Sequence, residues 1–469
     1  MLTIVLVLAF GARAAAQELP NIVLVMADDQ GWGDMAYNGR PHVKTPNFDA
    51  LAREGIRFDH FYAAAPVCSP TRGSVMTGRT PNRFGCFQWG HSLRPQELTL
   101  AQLLKRAGYR TGHFGKWHLG SVQKDSPVSP GASGFDDWVS SPNFFDVDPI
   151  LSDKGKATPF KGDSSDVTAD VALRFIKDCA GKKQRFLAVV WFGSPHAPHQ
   201  ALEADRKAYA DLSAGQQNFL GEITAMDRAV GKLREELKAL GLRDNTILWY
   251  CSDNGALPKV GSTGGRRGYK ASVYEGGLLV PALLEWPAKL PGKRVIDTPC
   301  VTSDILPTLL DIAGVKMPDA RPLDGVSLVP LLEGKTKERT KPIGFWNHTA
   351  GGKGVPAKQW MEELYAAQKE RKEPNDPARL YTDAGTIKVK HPLDAFPGHA
   401  AWVDGSWKLH RIEDKSGKVK WELYDLSKDA KESTDLAPRE APRTMAMRRE
   451  LEAWLTSVVR SLNGEDYAK

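Results

Sequence analysis

Six short polar runs carry residue types that could do chemistry together. Asp28 and Asp29 are adjacent carboxylates, and Asp253 and Asn254 form a carboxylate–amide pair. Three carboxylates and one amide make a hard oxygen set suited to Ca2+ or Mg2+. A site built mainly from protein ligands favours Ca2+, because Mg2+ keeps several waters. Either pair alone is more commonly a loop or capping acid; the two together, with Cys68 also present, point to a metal. Lys116 and His118 set a cation and an imidazole two residues apart. On an extended segment the two share a face, where a base beside a cation can hold an oxyanion and move a proton. Pro195-His196-Ala197-Pro198-His199 places two imidazoles in a proline-stiffened loop, His196 aimed inward and His199 at the rim. Lys270 adds a cation in a glycine-rich loop before Tyr274-Glu275-Gly276-Gly277. Cys68 opens the run Cys68-Ser69-Pro70-Thr71-Arg72, with Thr77-Gly78-Arg79 close behind.

The elements around these runs alternate. Residues 21–26 are a continuous apolar run, as expected of a parallel strand buried on both faces. Further strands are expected at 110–114, 185–192, 246–251 and 278–286. Helices are expected from Thr45-Pro46-Asn47 onward and at 97–107, 166–179, 216–240 and about 305–312. Such alternation predicts an α/β fold with a large, mostly parallel sheet sandwiched by helices. Asp28-Asp29, Pro195-His196 and Asp253-Asn254 each follow a strand, the position where sites of such folds lie. After residue 332 the composition changes. Residues 333–341 and 366–379 read as loop, residues 401–409 as a hairpin turning at Asp404-Gly405, 421–426 as a strand and 444–462 as a terminal helix. The expected organisation is a signal peptide at 1–16, a catalytic domain at 17–335 and a smaller C-terminal α+β subdomain at 336–469.

The run C-x-P-x-R followed by T-G-R, with the acidic pairs and the Lys/His segments in this order, resembles the sulfatase family. Within it the chain is nearest to arylsulfatase and N-acetylgalactosamine-6-sulfatase-like members. The resemblance runs from Asn21 to Leu332 and resumes at Glu422-Leu423-Tyr424-Asp425-Leu426. It implies an alkaline phosphatase-like fold and conversion of Cys68 to formylglycine by a formylglycine-generating enzyme of the secretory pathway. It also implies a metal held by Asp28, Asp29, Asp253, Asn254 and residue 68. Arg72 would hold the aldehyde hydrate, and Lys116, His118, His196 and Lys270 would surround the sulfate. His196, alone or with Lys270, would protonate the leaving oxygen and His118 would take a proton from the hydrate. One departure is Leu278-Leu279, where many relatives carry an arginine after the Glu-Gly-Gly phrase. Within the superfamily the competing reading is a phosphonate monoester or phosphodiester hydrolase; outside it, a non-catalytic glycan-binding protein.

The substrate expected is a sulfated carbohydrate, cut by an exported, periplasmic or secreted enzyme. Its leaving-group pocket is expected around the Trp89-Gly90-His91 segment, a loop from Val122 to Asp148, and a loop carrying Trp346, Asn347 and His348; His91, His199 and His348 are the candidate pocket histidines. Residues 2–10 are apolar and precede Ala14-Ala15-Ala16, the pattern of a signal peptide cleaved after Ala16. That stretch is shorter than the roughly 20 residues a membrane-spanning helix needs, so no stable membrane insertion is expected. A formal charge of +7 over 469 residues, without a dense basic tract, gives nucleic acid binding no support. The five cysteines contain no C-x-x-C pair, which argues against a zinc site. Cys179 and Cys251 are expected as buried thiols.

Overall fold

The structure, a computed structural model, describes residues 19–467; the expected signal peptide lies outside them. The strands are β1 (Asn21–Ala27), β2 (Ile56–Tyr62), β3 (Arg110–Lys116), β4 (Asp137–Ser141), β5 (Ile150–Asp153), β6 (Lys156–Pro159), β7 (Phe186–Trp191), β8 (Thr246–Ser252), β9 (Leu279–Glu285), β10 (Arg294–Ile296) and β11 (Cys300–Val301). They form one 11-stranded sheet in the order β10-β2-β9-β8-β1-β7-β3-β4-β5-β6, with β11 also on β2. The centre, β8-β1-β7-β3-β4, is parallel throughout. β9 is antiparallel to both neighbours, and β5 and β6 close the far edge as a hairpin.

The central strands are apolar on both faces because both are covered. Ile22, Leu24 and Met26 of β1 enter one core, and Val23, Val25 and Ala27 enter the other. The second core is closed by the helices Ser164–Gly181 and Ala214–Ala239, which pack on each other and send Val171, Phe175, Met226 and Val230 toward the sheet. Burying a Val, Leu, Ile or Phe side chain stabilises by about 1.5–3 kcal/mol, so these two layers hold the parallel strand ends in register.

A second sheet, antiparallel, is formed by β12 (Ile343–His348), β13 (Gly398–Asp404), β14 (Trp407–Glu413) and β15 (Val419–Asp425) in sequence order. β13 alternates: Ala400 and Trp402 pack under the terminal helix Ala441–Leu462, while Ala401 and Val403 pack on Tyr62, Leu278 and Leu279 of the large body.

Several boundaries differ from expectation. The helix expected at 97–107 is only Leu100–Lys105, because Thr99 caps it, its side chain accepting the Gln102 N–H while Gln102 reaches back. The hairpin turns at Gly405-Ser406, since Asp404 still pairs with Trp407 and Gly405 takes φ +58°. Residues 366–369 are not loop; they end the helix Ala357–Lys369, which buries Met361 and Leu364 and lies against β5 and β6. Trp346, Asn347 and His348 belong to strand β12, not to a loop, and the expected 122–148 loop contains β4. All five cysteines are free and buried, Cys179 in a helix and Cys251 in β8 among them.

Candidate active site

The C-terminal ends of β1, β3, β7 and β8 lie side by side, and each delivers one of the polar runs. Asp28 follows β1 and is tied to the β7 loop by its N–H to the Ser194 carbonyl (2.9 Å). Asp29 takes φ +66°, uncommon for a residue with a side chain, and donates its N–H to Asp253 Oδ1 (3.0 Å) after β8. Asn254 Nδ2 donates to Asp29 Oδ1 at 2.8 Å. Gly255 is obligatory here: a Cβ on it would fall 2.1 Å from the Gly276 carbonyl oxygen.

Cys68 is the first residue of the helix Cys68–Thr77, which Gly78 ends at φ +68°. The run that carries the resemblance is thus a buried helix with its reactive residue at the N-terminus. A left-handed glycine after Thr77 was the available signal for its end. One turn on, Arg72 donates to Asp253 Oδ2 from Nε (3.0 Å) and Nη2 (2.7 Å) and to the Lys116 carbonyl (3.1 Å), with its guanidinium carbon 5.2 Å from the Trp191 ring centroid.

Lys116 ends β3 and its ammonium meets Asp28 Oδ2 at 2.5 Å. Lys270 meets Asp29 Oδ2 at 2.7 Å. His118 does not continue the strand as expected. It takes φ +54°, because the chain leaves the sheet at Trp117, and its buried ring has neither nitrogen hydrogen-bonded. His196 Nε2 lies 3.5 Å from Asp29 Oδ2, its Nδ1 is 2.5 Å from the Ala197 carbonyl, and its ring stacks on Phe144 at 4.2 Å. One ligand atom each from Asp28, Asp29, Cys68 and His196 lie within 4.8 Å of one another.

The electrostatics follow from burial. Burial raises Asp28 to about 6, helped by Asp253 and opposed by Lys116. Burial also works to raise Asp29, but the Lys270, His196 and Lys116 charges outweigh it and hold that carboxyl well below its usual range. Burial pushes the Cys68 thiol up to about 12 despite Lys116 and Lys270. It depresses His118 far below the ordinary imidazole value and brings His196 to about 4, the latter opposed by Asp29 and Asp28.

Two buried oxygens, Asp28 Oδ1 and Asn254 Oδ1, have no hydrogen-bond partner. Buried polar atoms are rarely left so, and two orphan oxygens on adjoining strand ends are what a hard cation would satisfy. The donor set therefore fits a divalent metal.

Of the pocket histidines, His91 and His348 sit together at the rim. His348 stacks on Phe87 at 4.2 Å and His91 Nε2 is 2.9 Å from the Gly351 carbonyl oxygen. Gly90, between Trp89 and His91, donates to Ser69 Oγ at 2.9 Å, beside Cys68. His199 is not brought to this rim; it faces Glu222 Oε2 at 3.5 Å and the Phe219 ring. Phe144 and Trp191 were missed by sequence reasoning, since an isolated aromatic reads as core.

The family profile named Sulfatase matches residues 20–315. The chain belongs to the sulfatase family. N-acetylgalactosamine-6-sulfatase of Mus musculus is 33% identical over 383 residues, covering 72% of this chain and 71% of that protein. Arylsulfatase A of Homo sapiens is 33% identical over 380 residues, 73% of each. An ulvan-active sulfatase of Formosa agariphila is 31% identical over 369 residues, 72% of this chain and 70% of that one. Among solved structures, Ps i-CgsB in complex with k-i-k-neocarrahexaose superposes with TM-score 0.79 at 25% identity, covering 95% of this chain and 94% of that one. The phosphonate monoester hydrolase of Agrobacterium radiobacter shares the fold at TM-score 0.58 and 21% identity, covering 94% and 96%. As a sulfatase, the chain is a sulfuric ester hydrolase by family.

Proposed function

We propose that this sulfatase releases sulfate from a sulfated carbohydrate, using residue 68 and a metal held by Asp28, Asp29, Asp253 and Asn254. The observation that carries the reading is the meeting of Cys68, the acidic strand ends and two lysines in one buried cluster. Ca2+ is the ion favoured by a site with this many protein oxygens. When bound, the cation supplies charge against the sulfate and acidifies a hydroxyl, and formylglycine at residue 68 supplies that hydroxyl as its hydrate.

The remaining chemistry belongs to the side chains. Lys116 and Lys270 are each held by one of the two adjacent carboxylates, Asp28 and Asp29, and present fixed positive charge to the non-bridging sulfate oxygens. Arg72 is spent on Asp253, which it orients. His118 is kept neutral by burial and has both nitrogens free, so it suits the base that takes a proton from residue 68. The Ala197 carbonyl holds the proton of His196 on Nδ1, leaving Nε2 to exchange a proton with the leaving oxygen. The anionic sulfate would favour a protonated Nε2 as substrate enters. Phe144 fixes the plane of that ring. His91 and His348, with half-exposed Trp89, form the rim that a sugar would meet.

Export by cleavage after Ala16, and conversion of Cys68 by a formylglycine-generating enzyme, belong to the same proposal. Its test is parallel assay of nitrophenyl sulfate, nitrophenyl phosphate diesters and a phenyl phosphonate monoester, with sulfate measured by ion chromatography. Preference for the sulfate ester supports the reading. Preference for a phosphorus ester would favour the hydrolase alternative, and no turnover of any ester the glycan-binding one.

A further inference from the structure

We infer a second carbohydrate-binding cleft, for the sulfated chain beyond the reacting sugar, between the helix Ala357–Lys369 and the β5–β6 hairpin. The inference extends the sulfatase reading and rests on it for the identity of the ligand.

The cleft has a volume of about 770 Å3. Four lysines line it, Lys124, Lys154, Lys156 and Lys369, against two carboxylates, Asp125 and Glu373. Lys124 and Lys156 have no carboxylate partner among the described residues. Lys154 meets Asp137 at 2.9 Å. Lys369 extends over the Tyr365 ring, 4.3 Å from its centroid, and Glu373 is engaged by Gln368 at 3.1 Å. Other lysines of the surface are matched by an acid, Lys105 by Asp136 and Lys161 by Asp148 among them.

The lining chemistry fits a sulfated glycan in kind. Spaced ammonium groups suit sulfates carried on successive sugars. Gln123 and Asn375 offer carboxamides that bond to nothing else among the described residues, as hydroxyl recognition requires. Tyr365 lines the cleft with an aromatic ring, and a sugar stacking on it would take the place Lys369 holds over its face.

Position links the cleft to the active site. Leu380 lines it, and the next residue, Tyr381, donates from its hydroxyl to the Gly90 carbonyl at 3.4 Å. Gly90 in turn contacts Ser69, beside Cys68. Lys353 stands over the Tyr381 ring at 3.9 Å, an additional cation between the two. A chain leaving the rim at Trp89 and His91 would pass over Lys353, which covers the buried Tyr381, into the cleft.

The test is affinity electrophoresis of the full enzyme through gels containing chondroitin 6-sulfate, ι-carrageenan or ulvan, with polyglutamate as a sugar-free polyanion. The triple variant Lys124→Gln/Lys156→Gln/Lys369→Gln should lose at least about fivefold in affinity for one or more of the glycans, the sum expected of three exposed charge contacts. Tyr365→Ala should weaken glycan retardation without changing migration in polyglutamate. Hydrolysis of nitrophenyl sulfate should be unchanged in both variants, which also verifies their folding. Equal retardation of wild type and triple variant in all three glycans would overturn the cleft. So would no retardation of wild type, or retardation by polyglutamate as strong as by the glycans. Binding is read without turnover: lysine-dependent retardation by an enzyme that releases no sulfate would sink the function and spare the cleft, and sulfate release without it would do the reverse.

Discussion

Cys68 in its encoded form is badly suited to attack. It is 1% exposed and its thiol is held near 12, so thiolate is scarce at neutral pH. A conversion of the side chain resolves this, and it has a mass. In active enzyme, the tryptic peptide covering residues 58–72 should be about 18 Da lighter than the cysteine form, as expected for thiol-to-aldehyde conversion; finding only the unmodified mass in fully active protein would refute the nucleophile assignment. His118→Ala should lower kcat by about 10^2–10^4, the usual contribution of a positioned base, while thermal melting stays within a few degrees. At this scale the polar residues were legible, because acids and imidazoles just past apolar strands have few structural duties. Phe144 and Trp191 were not, because nothing in their type separates an aromatic that props a catalytic ring from one that fills a core.

The loop carrying Lys270 is held largely by the antiparallel sheet. Glu275, which follows it, receives Lys408 of β14 at 2.8 Å and Tyr62 at 3.1 Å, and donates its N–H to Glu432 at 2.6 Å. Lys408 also meets Glu432 at 3.1 Å, His410 meets it at 2.7 Å, and Asn347 of β12 holds the Ala271 carbonyl at 3.0 Å. Lys408, Glu432 and His410 are all fully buried. Removing one partner strands buried charge, so Lys408→Met should destabilise by about 3–5 kcal/mol in urea unfolding and reduce kcat together with it. Adding Glu275→Gln should recover part of the loss, because the two sites share one network. An additive double variant would show that they act separately. The hydrophobic alternation made β13 and β14 legible as strands. It was silent on β12, whose Trp346-Asn347-His348 end looks like a polar loop until Phe345 and Trp346 are seen packing on opposite faces. The same limit hid the helix that begins at Cys68. Its moment is weak because every residue of it is buried, so no polar face marks its period.

Over the whole molecule, the parallel pairing of the central strands, though not their order, could be expected from strand–helix alternation, since crossovers of this kind bury both sheet faces. The antiparallel insertion of β9 and the docking of the second sheet on Tyr62 and Leu279 depend on distant contacts that no local pattern reports. Among the described residues no helix is long and apolar enough to cross a membrane. If the leader is removed as proposed, N-terminal sequencing of the mature protein should begin at Gln17; an intact Met1 on protein recovered outside the cytoplasm would contradict the cleavage site. The most direct measurement on the central claim is sulfate release from a panel of defined sulfated saccharides. It should be made with metal-replete enzyme, with enzyme treated with chelator, and with Cys68→Ala. Sulfate should appear with the first, fall to background with the other two, and return when Ca2+ is restored to the chelated enzyme. Sulfate release by Cys68→Ala at near wild-type kcat, or undiminished after the metal is removed, would contradict it.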